Sequence, residues 1–384
     1  MNAFRRIFST PRYLAVAIFF LSLSLFYCAW IAYIPYYCDG LSLSEGELGI
    51  ALFFSAIGSF VMIFLSNWII HRFGAGFTTF FAMIYFGLTI YFPALAFDFS
   101  TFCIALFFLG TGSSLLNISM NSMVGIIEKE DNSRIMSTFH GFYSVGTMIG
   151  SGMGSLLAAR FMSPFWHISV LFILLLIAQL LLFPYYRSIK SANSGDNRFS
   201  FKFNGIQILF PIALIGLIVM VSEGAVADWG ALYLKNEVIV EPVGYSLGYA
   251  LFAFAMAFGR FSGDWISERV TSWKIVVLGC SVGLFGFWLL LIGFAVPVYI
   301  GFILIGLGFS VIVPEVFRVA AKTEGINTAM GVSFIAGVAN LGFLVGPMFL
   351  GFLAEWQTIR FSFFVLSMFV LLAMLMAVKR VYKS

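Results

Sequence analysis

Long apolar runs follow one another through almost the whole of this 384-residue sequence. A helix that crosses the hydrocarbon core of a bilayer needs about 20 predominantly apolar residues, and runs of that length recur here with only short polar interruptions. The composition agrees, because only 10% of the residues are charged, whereas soluble domains average about 25%. The sequence therefore predicts an all-α integral membrane protein that contacts the lipid bilayer along most of its length.

The residues that interrupt these runs are mostly polar residues, glycine and proline, and they predict twelve membrane crossings, numbered 1 to 12 in chain order. Crossings 1 to 6 are predicted at residues 13–37, 47–70, 77–97, 100–126, 137–160 and 164–186. Crossings 7 to 12 are predicted at residues 206–234, 245–266, 274–295, 297–321, 330–354 and 359–379.

The basic residues are distributed unevenly between the two sides of these crossings. With a cytoplasmic N-terminus, 18 of the 21 Lys and Arg residues fall on the cytoplasmic side, and the exceptions are Arg160, Lys235 and Arg360. Cytoplasmic loops of membrane proteins carry such an excess of positive charge. We therefore predict a multi-pass protein of a bacterial inner membrane with both termini in the cytoplasm.

Several classes of function lack support in the sequence. The net charge is only +4, and the basic residues are sorted by side rather than clustered, so we expect no nucleic-acid partner. The histidines and cysteines have no metal-ligand spacing, and we expect no metal and no cofactor. The sequence contains neither a convergent catalytic cluster nor a charged filter ring, which favours a transporter over an enzyme or a channel. Nothing requires more than a monomer.

The second half of the sequence repeats features of the first half at an offset of about 197 residues. Residues 67–72 (NWIIHR) align with residues 264–269 (DWISER), and both stretches end an even-numbered crossing. Similar offsets pair Asn117 with Glu315, Gly146 with Gly342, and Gly150 with Gly346. Repeats of this kind occur in transporters whose halves rock around a site near the middle of the bilayer.

The repeat predicts two pseudo-symmetric six-helix bundles, at residues 1–186 and 206–384. The polar segment at 187–205 is predicted to be a cytoplasmic linker between them. The paired glycines recur every four residues, a spacing that permits close helix approach, and we expect that approach between the two halves.

Residues 67–76 (NWIIHRFGAG) resemble the loop signature of the major facilitator superfamily, G-x-L-a-D-r-x-G-r-[rk]. Arg72 matches the signature, whereas His71 replaces its Asp and Asn67 replaces its first Gly. The second copy, residues 259–269 (GRFSGDWISER), is closer to the family form. The resemblance covers the whole chain and implies the major facilitator fold, solute transport and a gating role for Arg72.

Three further stretches resemble the branch of that superfamily that contains fucose permease and many uncharacterised bacterial carriers. They are residues 117–121 (NISMN), 140–146 (HGFYSVG) and 223–229 (EGAVADW). This resemblance implies a proton-driven sugar carrier. The sequence departs from fucose permease because crossing 1 has no acidic residue and crossing 4 has Asn117 in place of an acid.

Acidic residues inside crossings are functional candidates, because a buried charge in the hydrocarbon region is costly unless it faces a cavity or a partner. Glu223 lies in the middle of crossing 7, and Asp228 lies five residues further toward the outer side. Desolvation disfavours the charged form of such a carboxyl, so it can load and release a proton as its access to water alternates. We predict that both residues take part in proton coupling. The alternative is that Glu223 packs or hydrogen-bonds and Asp228 caps the helix.

A second group of charged residues lies near the cytoplasmic ends of crossings 8 and 10. Glu315 stands three residues before Arg318, a spacing at which helical side chains meet. We predict solute binding or gating for Glu315 and gating for Arg318; a purely structural ion pair is the alternative. The members on crossing 8, which we predict to latch the inner gate, are Arg260, Asp264, Glu268 and Arg269.

Uncharged polar residues on crossing 4 are candidates for solute binding. Asn117 and Asn121 are one helical turn apart, so both amides can project from one face and offer donors and acceptors without net charge. Such groups suit a solute rich in hydroxyls, and interhelical hydrogen bonding is the alternative. The predicted solute-binding set is completed by Trp30, Tyr33, Tyr143 and Asn340.

These features predict a secondary transporter of a small molecule that works by alternating access. The first hypothesis is a proton-coupled carrier of a sugar-like polar solute, based on the asparagine pair and the few buried acids. The alternative hypothesis is an exporter of an amphipathic, drug-like or siderophore-like compound, because phenylalanine and methionine side chains adapt to apolar ligands.

Overall fold

A computed structural model describes residues 7–131, 135–161, 164–190, 206–267, 269–321, 323 and 328–381. Helices make up nearly all of these residues, and no strand occurs among them. The all-helical prediction is confirmed. Most of the predicted linker, residues 191–205, lies outside the described part of the chain.

From Pro11 onward, fifteen α-helices occur in the described residues. The first half contains α1 (Pro11–Ala32), α2 (Ile34–Leu41), α3 (Glu45–Phe73), α4 (Ala75–Thr89), α5 (Phe92–Leu95), α6 (Phe99–Glu130), α7 (Met136–Phe161) and α8 (Pro164–Tyr186). The second half contains α9 (Ile206–Tyr233), α10 (Leu247–Ser267), α11 (Ser272–Ile292), α12 (Ala295–Phe309), α13 (Ile312–Ala321), α14 (Thr328–Trp356) and α15 (Ile359–Val381). A π-helical turn (Leu234–Val238) follows α9 directly.

Eleven helical segments among the described residues are long and apolar enough to cross a membrane. Predicted crossing 5 is a helix of 26 residues, α7, but it is not one of these eleven segments. Glycine, serine and threonine are frequent in α7 and lower its mean hydropathy. The twelve predicted crossings therefore correspond to eleven strongly apolar segments and one helix of more polar composition.

Three predicted crossings are each broken into two helices. Crossing 1 becomes α1 and α2, crossing 3 becomes α4 and α5, and crossing 10 becomes α12 and α13. In each case a proline stands in the first turn of the second helix, namely Pro35, Pro93 and Pro314. Proline lacks a backbone N–H and clashes with the carbonyl four residues earlier, so it favours a break at that point. Each of these three crossings therefore contains an interruption that the apolar runs did not indicate.

The described residues form two compact units. Unit 1 comprises residues within 1–43 and 50–197, and unit 2 comprises residues within 44–49 and 198–384. In unit 1, α1 packs against α7 and α8, and α4 packs against α6. In unit 2, α9 packs against α14 and α15, and α11 packs against α12. These are corresponding crossings of the two halves, so the packing repeats along with the sequence.

Close helix contacts at glycine recur at matching places in the two units. In unit 1, Gly110 on α6 lies against the backbone of Ser55 on α3. In unit 2, Gly306 on α12 lies against the backbone of Phe252 on α10. The two glycines are 196 residues apart and their partners are 197 residues apart, so the offset of the sequence repeat also holds in three dimensions.

The glycines of crossings 5 and 11 contact the first long helix of their own unit. A Cβ atom at Gly150 on α7 would meet the Cβ atom of Cys28 on α1 at 2.9 Å. A Cβ atom at Gly346 on α14 would meet Val221 on α9 at 3.3 Å. The close approach expected between the halves is therefore found within each unit.

Candidate functional site

A polar contact in unit 2 joins the middle of α9 to α10. The side chain of Glu223 is only 12% exposed. Its Oε2 atom lies 4.0 Å from Nη2 of Arg260. The Arg260 side chain is 43% exposed, so the protein encloses the guanidinium only in part. The other carboxyl oxygen of Glu223, Oε1, is buried and has no hydrogen-bond partner among the described residues. Arg260 thus neutralises Glu223 only in part.

Asp228 lies on the same helix, five residues beyond Glu223, and is 6% exposed. Its Oδ1 atom is buried without a hydrogen-bond partner in the described chain, and so is the indole Nε1 of the adjacent Trp229. A buried polar group without a partner costs free energy that a proton, a water molecule or a polar ligand can recover. Helix α9 therefore carries two incompletely satisfied carboxyl groups within two turns.

Glu315 is the most deeply buried acid in the described chain, at 1% exposure. Its Oε1 atom accepts hydrogen bonds from Nη1 of Arg318 and from the hydroxyl of Ser267, each at 2.5 Å. Its Oε2 atom is buried and has no partner among the described residues. The structure thus brings Glu315 and Arg318 together as their spacing predicts, and adds Ser267, which sequence reasoning missed because α10 is remote from Glu315 along the chain.

Helix α10 connects these two acidic sites. Arg260 faces Glu223, and Ser267, seven residues or about two turns further along the same helix, faces Glu315. Between them, the side chain of Asp264 lies outside the part of the structure that is described, and so does all of Glu268. Arg269 is exposed at the end of the helix. Only part of the predicted gating latch can therefore be placed.

Asn117 and Asn121 form a pair on α6 of unit 1. Nδ2 of Asn121 donates to the side-chain Oδ1 of Asn117 and to its backbone carbonyl, both at 2.8 Å. Asn117 is exposed and Asn121 is half-buried. The two side chains share one face of the helix, as the one-turn spacing predicts. After these hydrogen bonds, Nδ2 of Asn117 is still available as a donor and Oδ1 of Asn121 as an acceptor, and neither group is charged.

The aromatic candidates pack within unit 1. Trp30 is buried and stacks on Tyr37, with ring centroids 5.4 Å apart. Tyr33 is buried beside His167, at 5.8 Å between ring centroids, and its hydroxyl has no hydrogen-bond partner among the described residues. Tyr143 is half-buried on α7. Solute contact by these rings stays a prediction.

Two further candidates are placed only in part. Arg72 is exposed at the end of α3, with its guanidinium carbon 6.0 Å from the ring centroid of Phe73. The side chain of Asn340 lies outside the described residues, although its backbone belongs to α14. Within the described residues, no group of three or more His, Cys, Asp or Glu side chains could hold a metal ion.

Comparisons with known proteins agree with this architecture. The family model described as the Major Facilitator Superfamily matches residues 14–331. An uncharacterized MFS-type transporter of Yersinia pestis is 27% identical over 336 residues, which is 87% of this chain and 87% of that protein. Membrane protein MosC of Rhizobium meliloti is 28% identical over 351 residues, covering 89% of this chain and 83% of that protein.

Two solved structures share the fold. The nucleoside transporter NupG has a TM-score of 0.73 at 12% identity, over 95% of this chain and 98% of that chain. A bacterial homolog to the human lysosomal transporter Spinster, in an inward-facing and occupied conformation, has a TM-score of 0.70 at 15% identity, over 95% of each chain. The similarity to these four proteins does not place this chain in the fucose-permease-like branch, and membership of that branch stays a prediction.

Proposed function

This chain belongs to the Major Facilitator Superfamily, and we propose that it is a proton-coupled secondary transporter that moves a small, sugar-like polar solute across a bacterial inner membrane by alternating access. The observation that carries the proposal is the Glu223 carboxyl group. It is largely covered within a membrane-spanning segment, Ile208–Val238, with an arginine near one oxygen and no partner for the other, buried oxygen among the described residues.

The proton has a physical role at this carboxyl group. A carboxylate in a bilayer costs several kcal/mol, and a guanidinium at 4.0 Å offsets only part of that cost. Protonation of Glu223 removes the negative charge and also releases Arg260 from its ion pair. Arg260 then makes different contacts when Glu223 is protonated and when it is ionised. Such a difference can couple proton binding to a conformational change.

Glu315 contacts α10 through Ser267, near the predicted cytoplasmic end of that helix. Because Arg260 and Ser267 lie on α10, a movement of α10 that follows protonation of Glu223 also alters the hydrogen bond from Ser267 to Glu315. We assign Glu223, with Asp228, to proton coupling and the Glu315, Arg318 and Ser267 group to the inner gate. We also assign Arg72, Asp264, Glu268 and Arg269 to gating, because of their positions in the sequence near the ends of predicted crossings.

The proposed solute class rests on the asparagine pair of unit 1. After their mutual hydrogen bond, the two amides still offer one donor nitrogen and one acceptor oxygen on an exposed face of α6. A donor and an acceptor placed side by side complement adjacent hydroxyl groups, and the absence of charge suits a neutral solute.

The proposal is tested in proteoliposomes that contain the purified protein and a trapped pH-sensitive dye. Neutral sugars, sugar derivatives, nucleosides and amphipathic cationic drugs are added singly from outside. We expect acidification of the lumen with at least one neutral hydroxylated solute and none with protein-free liposomes. Proton movement only with amphipathic compounds would support the exporter, and no proton movement with a solute that is nevertheless taken up would contradict the proposal.

The asparagine assignment has its own variants. Asn117→Ala removes the free amide donor, and we expect the solute concentration for half-maximal acidification to rise about tenfold, since one or two hydrogen bonds are lost. Asn236→Ala, at an exposed asparagine of the π-helical turn, serves as the matched control and should leave that concentration unchanged. An equal response of the two variants would argue against solute binding by Asn117.

A further inference from the structure

Helix α9, which carries Glu223 and Asp228, ends in an irregular backbone conformation. It passes directly into the π-helical turn Leu234–Val238, which is closed by Ile239, whose N–H donates to the carbonyl of Leu234. Turns of this kind are rare and occur frequently at functional sites. The segment needs an explanation that the roles of Glu223 and Asp228 do not supply.

Ile239 stores strain in this segment. Its backbone lies in the left-handed helical region, with φ 57° and ψ 58°. A β-branched residue is an outlier there, because its Cβ atom approaches neighbouring backbone atoms, and glycine or asparagine usually takes such a position. The Ile239 side chain is 80% exposed, so little packing compensates for the strain. Strained backbone persists only where surrounding contacts hold it, and it clusters at switch regions.

Contacts with α11 and α15 hold the π-helical turn within unit 2. Oε1 of Glu237 accepts a hydrogen bond from the backbone N–H of Arg360 at 2.8 Å, in the first turn of α15. Oε2 of Glu237 lies 3.4 Å from Nε of Arg360. Just before the turn, the Tyr233 hydroxyl donates to the carbonyl of Leu290, near the end of α11. The strained segment is therefore anchored on both sides of its first residue.

Gly293 fixes the place of the Arg360 guanidinium. It ends α11 with a φ of 79°, and a Cβ atom there would meet Nη2 of Arg360 at 2.5 Å. The side chains of Glu237 and Arg360 are 16% and 41% exposed, so their ion pair is only partly shielded from solvent. Arg360 is also one of the basic residues that the positive-inside pattern leaves on the outer side. Its pairing with Glu237 gives it a role there.

We propose that residues 234–239 and Arg360 form a clasp, in which the contacts between Glu237 and Arg360 hold the end of α9 in its strained conformation. When these contacts break, the π-helical turn and Ile239 relax, and the end of α9 beyond Asp228 moves. Glu237 and Arg360 are thus positioning residues that do not contact the solute. The clasp does not depend on which solute is carried, whereas its use in transport rests on the function proposed above.

The clasp is tested with a thiol probe in the full-length protein in lipid nanodiscs, without solute or pH gradient. Ala231→Cys places a thiol at a buried position of α9, shortly before the π-helical turn. Its reaction with a maleimide is followed by mass spectrometry, which separates residue 231 from the native cysteines. Buried Cys280 on α11 is the internal reference for a general loosening of unit 2. Since no transport is measured, a failure of the clasp is distinguished from a failure of the proposed function.

Variants at the contacts and at the strained residue should change the labelling rate in opposite directions. Glu237→Gln should make labelling at residue 231 about fivefold faster, the effect of one partly exposed ion pair, without changing Cys280. Arg360→Gln should act similarly, and Arg360→Lys should keep most of the parent behaviour. Ile239→Gly and Ile239→Asn relieve the strain of the held conformation, so labelling should become about fivefold slower.

Glu241→Gln is the matched control, because Glu241 is exposed just beyond the strained segment, and it should leave the labelling rate unchanged. Equal rates in the parent, Glu237→Gln and Arg360→Gln would overturn the proposal. So would acceleration by Glu241→Gln, labelling of Cys280 that rises together with residue 231, or labelling in Ile239→Gly and Ile239→Asn that is no slower than in the parent.

Discussion

The two units share their packing but differ in the groups that they bury. The glycine contacts Gly110 with Ser55 and Gly306 with Phe252 occupy matching places in units 1 and 2. Yet the two carboxyl residues that are fully buried in the described chain, Asp228 and Glu315, both lie in unit 2, as does the partly buried Glu223. In unit 1, the position that matches Glu315 is Asn117, which hydrogen-bonds to another neutral amide.

The two units therefore share the small residues that helix packing requires but differ in their buried carboxyl groups. Helix crossings need small residues wherever backbones touch, and that requirement is the same in both units. A buried charge is not required by the packing and costs free energy, so its restriction to unit 2 indicates a function of that unit. We therefore propose that unit 2 carries the charge and the proton movement and that unit 1 supplies neutral polar contacts.

The largest effect on stability is expected at the buried pair of unit 2. Among the described residues, Arg318→Ala leaves the Glu315 carboxylate with the Ser267 hydroxyl as its donor. Breaking a buried ion pair costs about 3–5 kcal/mol, and partial exposure of Arg318 reduces this to about 2 kcal/mol. The midpoint of thermal unfolding in detergent should fall clearly below that of the parent protein.

Two controls connect that result to the comparison of the units. Adding Glu315→Gln to Arg318→Ala should recover part of the lost stability, because the buried charge is gone. Asn117→Ala in unit 1 should change the unfolding midpoint much less than Arg318→Ala, since no charge is left unpaired. An equal loss in Asn117→Ala would remove the distinction between the units.

A smaller and symmetric effect is expected at the matched glycines. Gly110→Ala and Gly306→Ala each place a methyl group against backbone atoms of the neighbouring helix. Such overpacking costs about 1–3 kcal/mol, and the helix backbones must separate to accommodate it. Thermal unfolding of the two variants should show losses of similar size. A large loss in one variant alone would mean that the structural repeat does not extend to stability.

The smallest effect concerns the starts of the matched helices α6 and α12. Asp98 caps α6 by accepting a hydrogen bond from the N–H of Thr101 at 2.8 Å, whereas Phe294 precedes α12 without a side-chain cap. Hydrogen bonds from the backbone and side chain of Thr101 lower the pKa of Asp98 below its usual range. The cap therefore contributes stability at neutral pH, and this contribution is lost as the pH falls through the lowered pKa.

Unfolding midpoints measured against pH test this assignment. Asp98→Ala should lower the midpoint slightly at neutral pH and should match the parent protein once Asp98 is protonated in acid. Phe294→Asp should raise the midpoint slightly at neutral pH by supplying α12 with the cap that α6 already has. A difference between parent and Asp98→Ala that does not shrink in acid would contradict the capping role.

The sequence predicted those parts of the molecule that depend on local pattern. Apolar runs located the long helices, and the three-residue spacing of Glu315 and Arg318 predicted their ion pair. Proline effects were underestimated, since the run from 13 to 37 is predominantly apolar but is still divided into α1 and α2, with Pro35 in the first turn of α2. Local pattern therefore located helices better than it located their interruptions.

The sequence did not predict which side chains meet between different helices. Glu223 and Arg260 were separate candidates with different roles, because spacing rules apply only within one helix, and the structure brings them to 4.0 Å across α9 and α10. Ser267 gave no signal, since a serine at a helix end is common, and its importance follows from the hydrogen bond to Glu315. Burial likewise distinguishes Trp30 from the many other aromatic residues only once the packing of α1 is known.

The assignment of the proton to unit 2 is tested most directly by Glu223→Gln in proteoliposomes, with a solute that drives acidification in the parent protein. Exchange of labelled for unlabelled solute is measured without a pH gradient, and accumulation is measured with an imposed gradient. We expect Glu223→Gln to retain exchange and to lose gradient-driven accumulation by more than about tenfold, since a neutral amide cannot carry the proton. Normal accumulation by Glu223→Gln would contradict it.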